Sequence, residues 1–255
     1  MNAPYSPSSF SARITRQVAR FAARRPLPIH PDHAIVSFSF DDFPKSAATL
    51  GAPALEQRGW RGTYYASAGL AGTTNHHGPQ FDAGDIVDLS ARGHEIGCHT
   101  FEHVDCAQAD VDTVMDSLDR NADALRRMGL SEPLSSFAFP YGEASLDAKR
   151  ALSSRFASMR GVRAEINRGS GDLNLLRAVA LDGGDAGIER AIEAANSLIQ
   201  APGWLIYYAH DIQDQPSEWG CTPEQFERVC NAVEASGARV MTVRDALKSL
   251  QENRT

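Results

Sequence analysis

Cysteine is scarce in this 255-residue chain. Four residues (Cys98, Cys106, Cys221, Cys230) are too few for a disulfide scaffold. Basic charge is also in deficit, with 25 Lys and Arg against 32 Asp and Glu and a net charge of −7. That balance disfavours a broad nucleic-acid surface, because neutralising phosphates takes an excess of Lys and Arg. No apolar run approaches the roughly 18–20 residues of a membrane span. No Gly-, Ser- or Pro-rich linker and no repeat of 20–50 residues divides the chain. There is no Gly-x-Ser-x-Gly elbow and no Walker-type loop, so serine-triad hydrolysis and phosphoryl transfer lose ground. Residues 1–28 lack the apolar core of a secretory signal, and the expectation is a protein with reduced thiols in the cytoplasm.

What is present is an ordinary globular composition, 42% apolar and 22% charged, long enough for one large domain. The charge is unevenly placed. Residues 1–31 hold Arg13, Arg16, Arg20, Arg24 and Arg25 and no acid, so the remainder carries 20 basic against 32 acidic residues. At helical spacing Phe10, Ile14, Val18 and Phe21 share one face and Arg13, Arg16, Arg20 and Arg24 an adjoining one. Ser8 or Ser9 is a candidate cap, and Pro26 and Pro28 would end the helix. The expectation is a basic amphipathic segment, 1–28, ahead of a single domain, 29–255. The segment packs on its own domain, pairs two copies through residues 9–25, lies on the inner face of a membrane, or binds another partner.

From Ala34 onward, strand-like runs alternate with helix-like ones. Strands are predicted at 34–40, 62–67, 95–98, 136–139, 156–161, 177–181, 204–209 and 238–242, with helices at 46–57, 83–91, 107–128, 146–152, 187–198, 222–235 and 243–251. Thr222-Pro223-Glu224-Gln225 reads as a capping box with Pro at the first helical position. Seven or eight strand–helix repeats in one domain predict an α/β fold, a distorted (β/α) barrel.

Barrel chemistry sits at the C-terminal ends of strands, and three such ends stand out here. The first strand ends in Asp41-Asp42, the third in Cys98-His99-Thr100-Phe101-Glu102-His103, and a late one in His210-Asp211. Histidines at i and i+4 can face one ion, and imidazole suits zinc, iron or cobalt. A carboxylate from another strand completes a two-His, one-carboxylate set with open positions, which is a catalytic rather than a structural arrangement. One of the paired aspartates can bind the metal while its neighbour acts as base.

These residues give the chain its resemblance to the polysaccharide deacetylase family, the NodB-homology domain or carbohydrate esterase family 4, from about Ala34 to Leu250. Ser39-Phe40-Asp41-Asp42 resembles the family's first motif, which implies Asp41 as base and Asp42 as metal ligand. The stretch from Arg92 to His103 is similar to the second, implying His99 and His103 as ligands. Tyr208-Ala209-His210 matches the last, implying His210 as general acid. The resemblance implies one divalent metal, most readily Zn²⁺ with Co²⁺ or Fe²⁺ as alternatives. It also implies an N-acetylated glycan substrate, an N-acetylhexosamine polymer or its lipid-linked precursor, and the expected cytoplasmic location favours a membrane-bound intermediate of exopolysaccharide or adhesin synthesis.

The third motif departs from the common Arg-x-Pro-Tyr. Here the stretch is Phe137-Ala138-Phe139-Pro140-Tyr141-Gly142, with Ala138 in the place of the arginine that orients the base. The chain is similar in this to a subgroup with an aromatic-rich version, in which a later arginine does that work, and Arg177 is the candidate. Tyr141 would offer its backbone N–H to an oxyanion, and Pro140, Tyr141 and Trp219 are candidate substrate contacts, Trp219 by stacking on a sugar.

His76-His77, in a polar loop, is read as solvated or touching substrate, and His94 as packing at a strand start. His30 and His33 have no evident partner. Cys98 and Cys106 are read as small core residues. Two alternatives remain. One is a related hydrolase (O-acetyl esterase, deformylase or cyclic amidase), and the other a catalytically degenerate glycan-binding protein.

Overall fold

The computed structural model describes residues 18, 19 and 21–252. In chain order the strands are β1 (Pro26–Ile29), β2 (Ile35–Phe40), β3 (Thr63–Ala66), β4 (Thr74–Asn75), β5 (Gly78–Pro79), β6 (Glu95–Cys98), β7 (Ser136–Ala138), β8 (Ser158–Arg160), β9 (Gly169–Asp172), β10 (Val179–Ala180), β11 (Trp204–Ala209) and β12 (Arg239–Val240). The α-helices are α1 (Ala52–Glu56), which continues a π-helical turn at Ala47–Gly51, α2 (Ala83–Ala91), α3 (Val111–Arg127), α4 (Leu146–Leu152), α5 (Gly184–Asn196), α6 (Pro223–Ala235) and α7 (Val243–Glu252).

Eight strands form one sheet in the order β10-β11-β2-β3-β6-β7-β8, with β12 also paired to β2. Every pairing within it is parallel. These are the eight strand positions read from the sequence, and the sheet curls into a half-barrel. β2 is shared on one flank. Its first residues, Ile35 and Val36, pair with β12, whereas Ser39 and Phe40 pair with β3. Where β8 and β10 leave the curl open, Leu176 bridges to Arg160 and exchanges backbone hydrogen bonds with Gly161 (2.9 Å) and Met159 (2.8 Å).

A strand buried on both faces needs apolar or internally satisfied side chains throughout. In β2 every residue is buried. Val36, Phe38 and Phe40 join the largest core cluster. Of the two serines between them, Ser39 Oγ donates to Tyr207 O (2.7 Å) and Ser37 Oγ accepts from Trp204 Nε1 (3.0 Å). β11 alternates in the same way, with Leu205, Tyr207 and Ala209 in the large cluster and Trp204 and Ile206 in a second one with Leu247 and Leu250 of α7. The Thr222–Gln225 capping box forms as read from the sequence.

β1 and β9 are additions that the sequence pattern did not reveal. They pair antiparallel, from Pro26↔Asp172 to Ile29↔Gly169. Pro26 and Pro28 are exposed while Leu27 and Ile29 are buried, so the prolines occupy edge positions where no ladder donor is missed. The domain boundary expected at residue 28 therefore falls inside β1.

The chain ahead of β1 is fastened to the domain. The buried Lys149 Nζ donates to Ala19 O (2.9 Å), Ala22 O (3.0 Å) and Asp172 Oδ2 (2.7 Å). Arg25 donates to Ser153 O, Phe156 O and Ala157 O beyond the end of α4. Val18 and Phe21, expected on the apolar face of the helix, are exposed, and Ala19 is the buried residue of that turn. The rest of the expected helix, residues 9–17 and 20, lies outside the described residues. No helix among them is long and apolar enough to cross a membrane.

Candidate metal and catalytic centre

The C-terminal ends of β2, β6, β8 and β11 converge on one site. Asp41 continues the β2–β11 ladder through its N–H to Ala209 O (2.9 Å), which sets it beside His210. The chain then turns sharply, with Asp42 and Phe43 at φ 59° and 67°. Such left-handed conformations cost energy in residues with a Cβ and persist only where the surroundings enforce them. Phe43 supplies the anchor, fully buried and stacked on Phe81 with centroids 4.6 Å apart. Thr100 (φ 62°), His103 (φ 56°) and Tyr141 (φ 59°) are left-handed too. Among the described non-glycine residues only Ala23 shares this conformation outside these loops. After β6, Thr100 Oγ1 accepts from Val104 N (2.8 Å), which folds the turn that carries His103. Asn121 of α3 ties β3 to β6 by accepting from Ala68 N (2.8 Å) and donating to Ala66 O (2.9 Å) and to Cys98 Sγ (3.2 Å).

His99 and His103 meet Asp42 as the spacing suggested. Asp42 Oδ1 lies 3.5 Å from His99 Nε2 and 3.3 Å from His103 Nε2. His99 Nδ1 is 2.8 Å from the Ala138 carbonyl. A carbonyl can only accept, so Nδ1 carries the hydrogen and Nε2 is left as a lone pair toward Asp42. Asp42 Oδ1 is buried and has no hydrogen-bond partner. An orphaned anionic oxygen facing two imidazoles is costly unless a cation joins them. The three residues together thus fit a divalent metal, with nitrogen and oxygen donors of the kind zinc, cobalt and iron accept.

The arginine beside Asp41 is Arg160, not Arg177. Arg160 Nη2, at the end of β8, donates to Asp41 Oδ1, and both side chains are buried. The guanidinium is further sandwiched by the rings of Tyr65 (5.2 Å) and Tyr208 (5.1 Å). Arg177 instead precedes β10 and pairs with Glu165 at 3.3 Å on a partly exposed surface. The correction has a physical cause. β8 is the next strand in the sheet after β7, so its end reaches the gap left by Ala138.

The site is electrostatically tuned. Burial alone would raise the Asp41 carboxyl, but Arg160, His99 and His210 outweigh it and hold the group below its usual range. For Asp42, burial is again opposed, by His103, His99, His210 and His77, and the carboxyl falls to about 2. Burial takes His99 down to about 4 against the pull of Asp41, so it is neutral at pH 7, as a ligand must be. His210 is also lowered by burial, with Asp41 opposing. Its Nδ1 lies 3.3 Å from Trp219 O.

Tyr141 is partly exposed and meets His103 edge to face at 4.6 Å, while Pro140 is buried behind it. Trp219 lies half-exposed at the rim, with its ring 5.2 Å from that of His76. His77, read as a loop residue, is buried in the site. Its Nδ1 lies 3.0 Å from Asp211 Oδ1 and 2.9 Å from Ser217 Oγ, and its Nε2 3.6 Å from Asp42 Oδ2. Arg160 carried a usable signal, a charge at the end of a predicted strand. His77 carried none, since its partner is 134 positions away.

Residues 30–156 match the polysaccharide deacetylase family model. With that match, the strand order and the motif residues assembled at one end of the sheet, the chain belongs to the polysaccharide deacetylase family, hydrolases of amide bonds. Among solved structures it is similar to the chitin deacetylase of the fungal pathogen Colletotrichum lindemuthianum (TM-score 0.63, 16% identity, covering 86% of this chain and 89% of that one). It is also similar to PdaA of Bacillus subtilis, a family 4 carbohydrate esterase (TM-score 0.58, 16% identity, covering 100% and 95%). A third is BA3943 of Bacillus anthracis, a family 4 pseudoenzyme (TM-score 0.59, 14% identity, covering 86% and 66%). No curated protein matches the sequence. These likenesses establish the fold, and because one of them is to a pseudoenzyme, activity has to be argued from the site.

Proposed function

We propose that the protein is a metal-dependent N-deacetylase acting on N-acetylhexosamine units of a glycan or its lipid-linked precursor. The observation that carries this reading is the Asp41–Arg160 pair held beside the Asp42–His99–His103 set and His210. Asp42, His99 and His103 would hold one divalent ion, zinc by preference of the donors. When bound, such an ion supplies Lewis-acid polarisation of the acetamide carbonyl and of the attacking water, whose pKa falls from 15.7 toward about 7 in sites of this kind.

Asp41 takes the proton from the attacking water. Its carboxylate is ionised and pinned through Oδ1 by Arg160, which leaves Oδ2 for that proton. The Tyr141 backbone N–H donates to the developing oxyanion, a contribution of about 3–4 kcal/mol for such a donor. His210 gives a proton to the departing amine, a poor leaving group without it. Trp219, at the rim, provides an apolar face for a sugar ring. The acidic chain, net −7, favours a neutral backbone over a strongly anionic polymer.

The pseudoenzyme reading is disfavoured because Arg160 supplies the guanidinium whose absence from the third motif was its support. Asp41→Asn tests the function. It should retain bound metal and lose acetate release from N-acetylhexosamine oligomers, whereas full turnover in this variant rules Asp41 out as the base.

A further inference from the structure

We propose that this centre takes a second divalent cation, bound through Asp42 Oδ2, His77 and His210, with Asp42 bridging it to the first. His77 is built like His99. In each ring Nδ1 faces an acceptor, the Ala138 carbonyl for His99 and Asp211 Oδ1 for His77. In each ring Nε2 points at an oxygen of Asp42, at 3.5 Å for His99 and 3.6 Å for His77. A carboxylate behind a histidine that faces a metal is the recurrent way proteins fix the tautomer and raise ligand basicity.

Asp211 is fitted to that task. It is fully buried and also accepts from Ser217 N (2.8 Å), Ser217 Oγ (2.5 Å) and Gln213 Nε2 (2.9 Å). With Nδ1–H committed to Asp211, Nε2 and Asp42 Oδ2 meet lone pair to lone pair, an arrangement that a shared cation satisfies. Two ligands at 2.0–2.2 Å from one ion sit about 3.3–3.6 Å apart when tetrahedral, and the observed gap matches.

The position is separate from the first because the two histidine sets use different oxygens of Asp42. His99 and His103 face Oδ1 and His77 faces Oδ2. Asp42, His77 and His210 form their own compact group of potential ligands. A carboxylate shared in this way is the usual bridge of two-metal sites, whose ions lie about 3.5–4 Å apart.

His210 is the weakest donor of the three. Its ring lies nearly parallel to that of His77, with centroids 4.7 Å apart and an angle of 10°, so it must turn to aim Nε2 at a common ion. The 3.3 Å contact with Trp219 O and the ring contacts with His77 and Tyr208 resist that turn. The second cation therefore binds more weakly than the first. It is of the same borderline class, Zn²⁺ or Co²⁺. Because it occupies His210, it inhibits turnover beyond one equivalent. That consequence rests on the reading of His210 as the acid, whereas the stoichiometry does not.

The test is equilibrium dialysis of the full chain, stripped by chelator, against Co²⁺. Wild type should saturate at two per chain in two steps, and His77→Phe, which keeps a ring in place, at one. Asp211→Asn should weaken the second step alone, by about 10–100-fold. Saturation of wild type at one ion, or two ions still bound by His77→Phe, overturns the second position while leaving the first intact. Failure of wild type to bind any ion overturns both.

Discussion

Arg160 and Asp41 lie 119 positions apart, yet the guanidinium of one donates directly to the carboxylate of the other, and both are buried. This contact brings a guanidinium to a place where Ala138 offers none, and it engages Oδ1 of Asp41.

Removing one partner of a buried pair leaves an uncompensated charge. Arg160→Ala should therefore cost about 3–5 kcal/mol of stability and lose deacetylation. Arg177→Ala, at a partly exposed pair with Glu165, should cost no more than about 1 kcal/mol and leave turnover near wild type. Denaturant unfolding and acetate release on the two variants check this. A reversed order of effects contradicts the assignment.

Acid stability follows from the same pair. The Asp41 carboxyl is lowered in the folded protein, against about 3.9 when unfolded. Its contribution is thus fully present above the unfolded value and is lost as pH falls through the folded one. The difference in unfolding free energy between wild type and Asp41→Asn should be constant from pH 7 to about 5 and shrink below about 4. A gap that widens on acidification contradicts the lowered value.

The role given to Tyr141 belongs to its main chain. Tyr141→Phe should keep kcat within about twofold, because the phenol takes no part. Tyr141→Pro removes the N–H and cannot adopt φ 59°, so kcat should fall by about 10²–10³. Equal loss in both variants points to the phenol instead.

Trp219 is assigned to substrate, not to chemistry. Trp219→Ala should raise KM for a chitin-type oligomer by about tenfold, which is 1.4 kcal/mol and within the range of a lost aromatic stack, and leave kcat close to wild type. A fall in kcat alone would place the residue with His210, whose Nδ1 its carbonyl holds.

The fold was largely legible because its eight sheet strands are apolar runs ending in turns or polar residues. β2 shows this with Val36, Phe38 and Phe40 in the core and Asp41-Asp42 at its end. β1 was not legible, because Pro26 and Pro28 read as helix stops when they are edge positions of a strand paired with the glycine-rich β9. In the site, Asp42, His99 and His103 could be read from local spacing. The partners of Asp41 and His77 could not, since these contacts form between residues 119 and 134 positions apart. The resemblance to a subgroup with a later arginine offers Arg177, whereas strand adjacency in the sheet brings Arg160 to Asp41.

The central claim is that Asp42, His99 and His103 bind a metal. It is tested most directly by elemental analysis of purified wild type beside His103→Ala. The account predicts a tightly held divalent ion, at least about one per wild-type chain, that is lost from the variant. A wild-type chain that takes up no divalent ion even after reloading, or a variant that keeps its full complement, contradicts it.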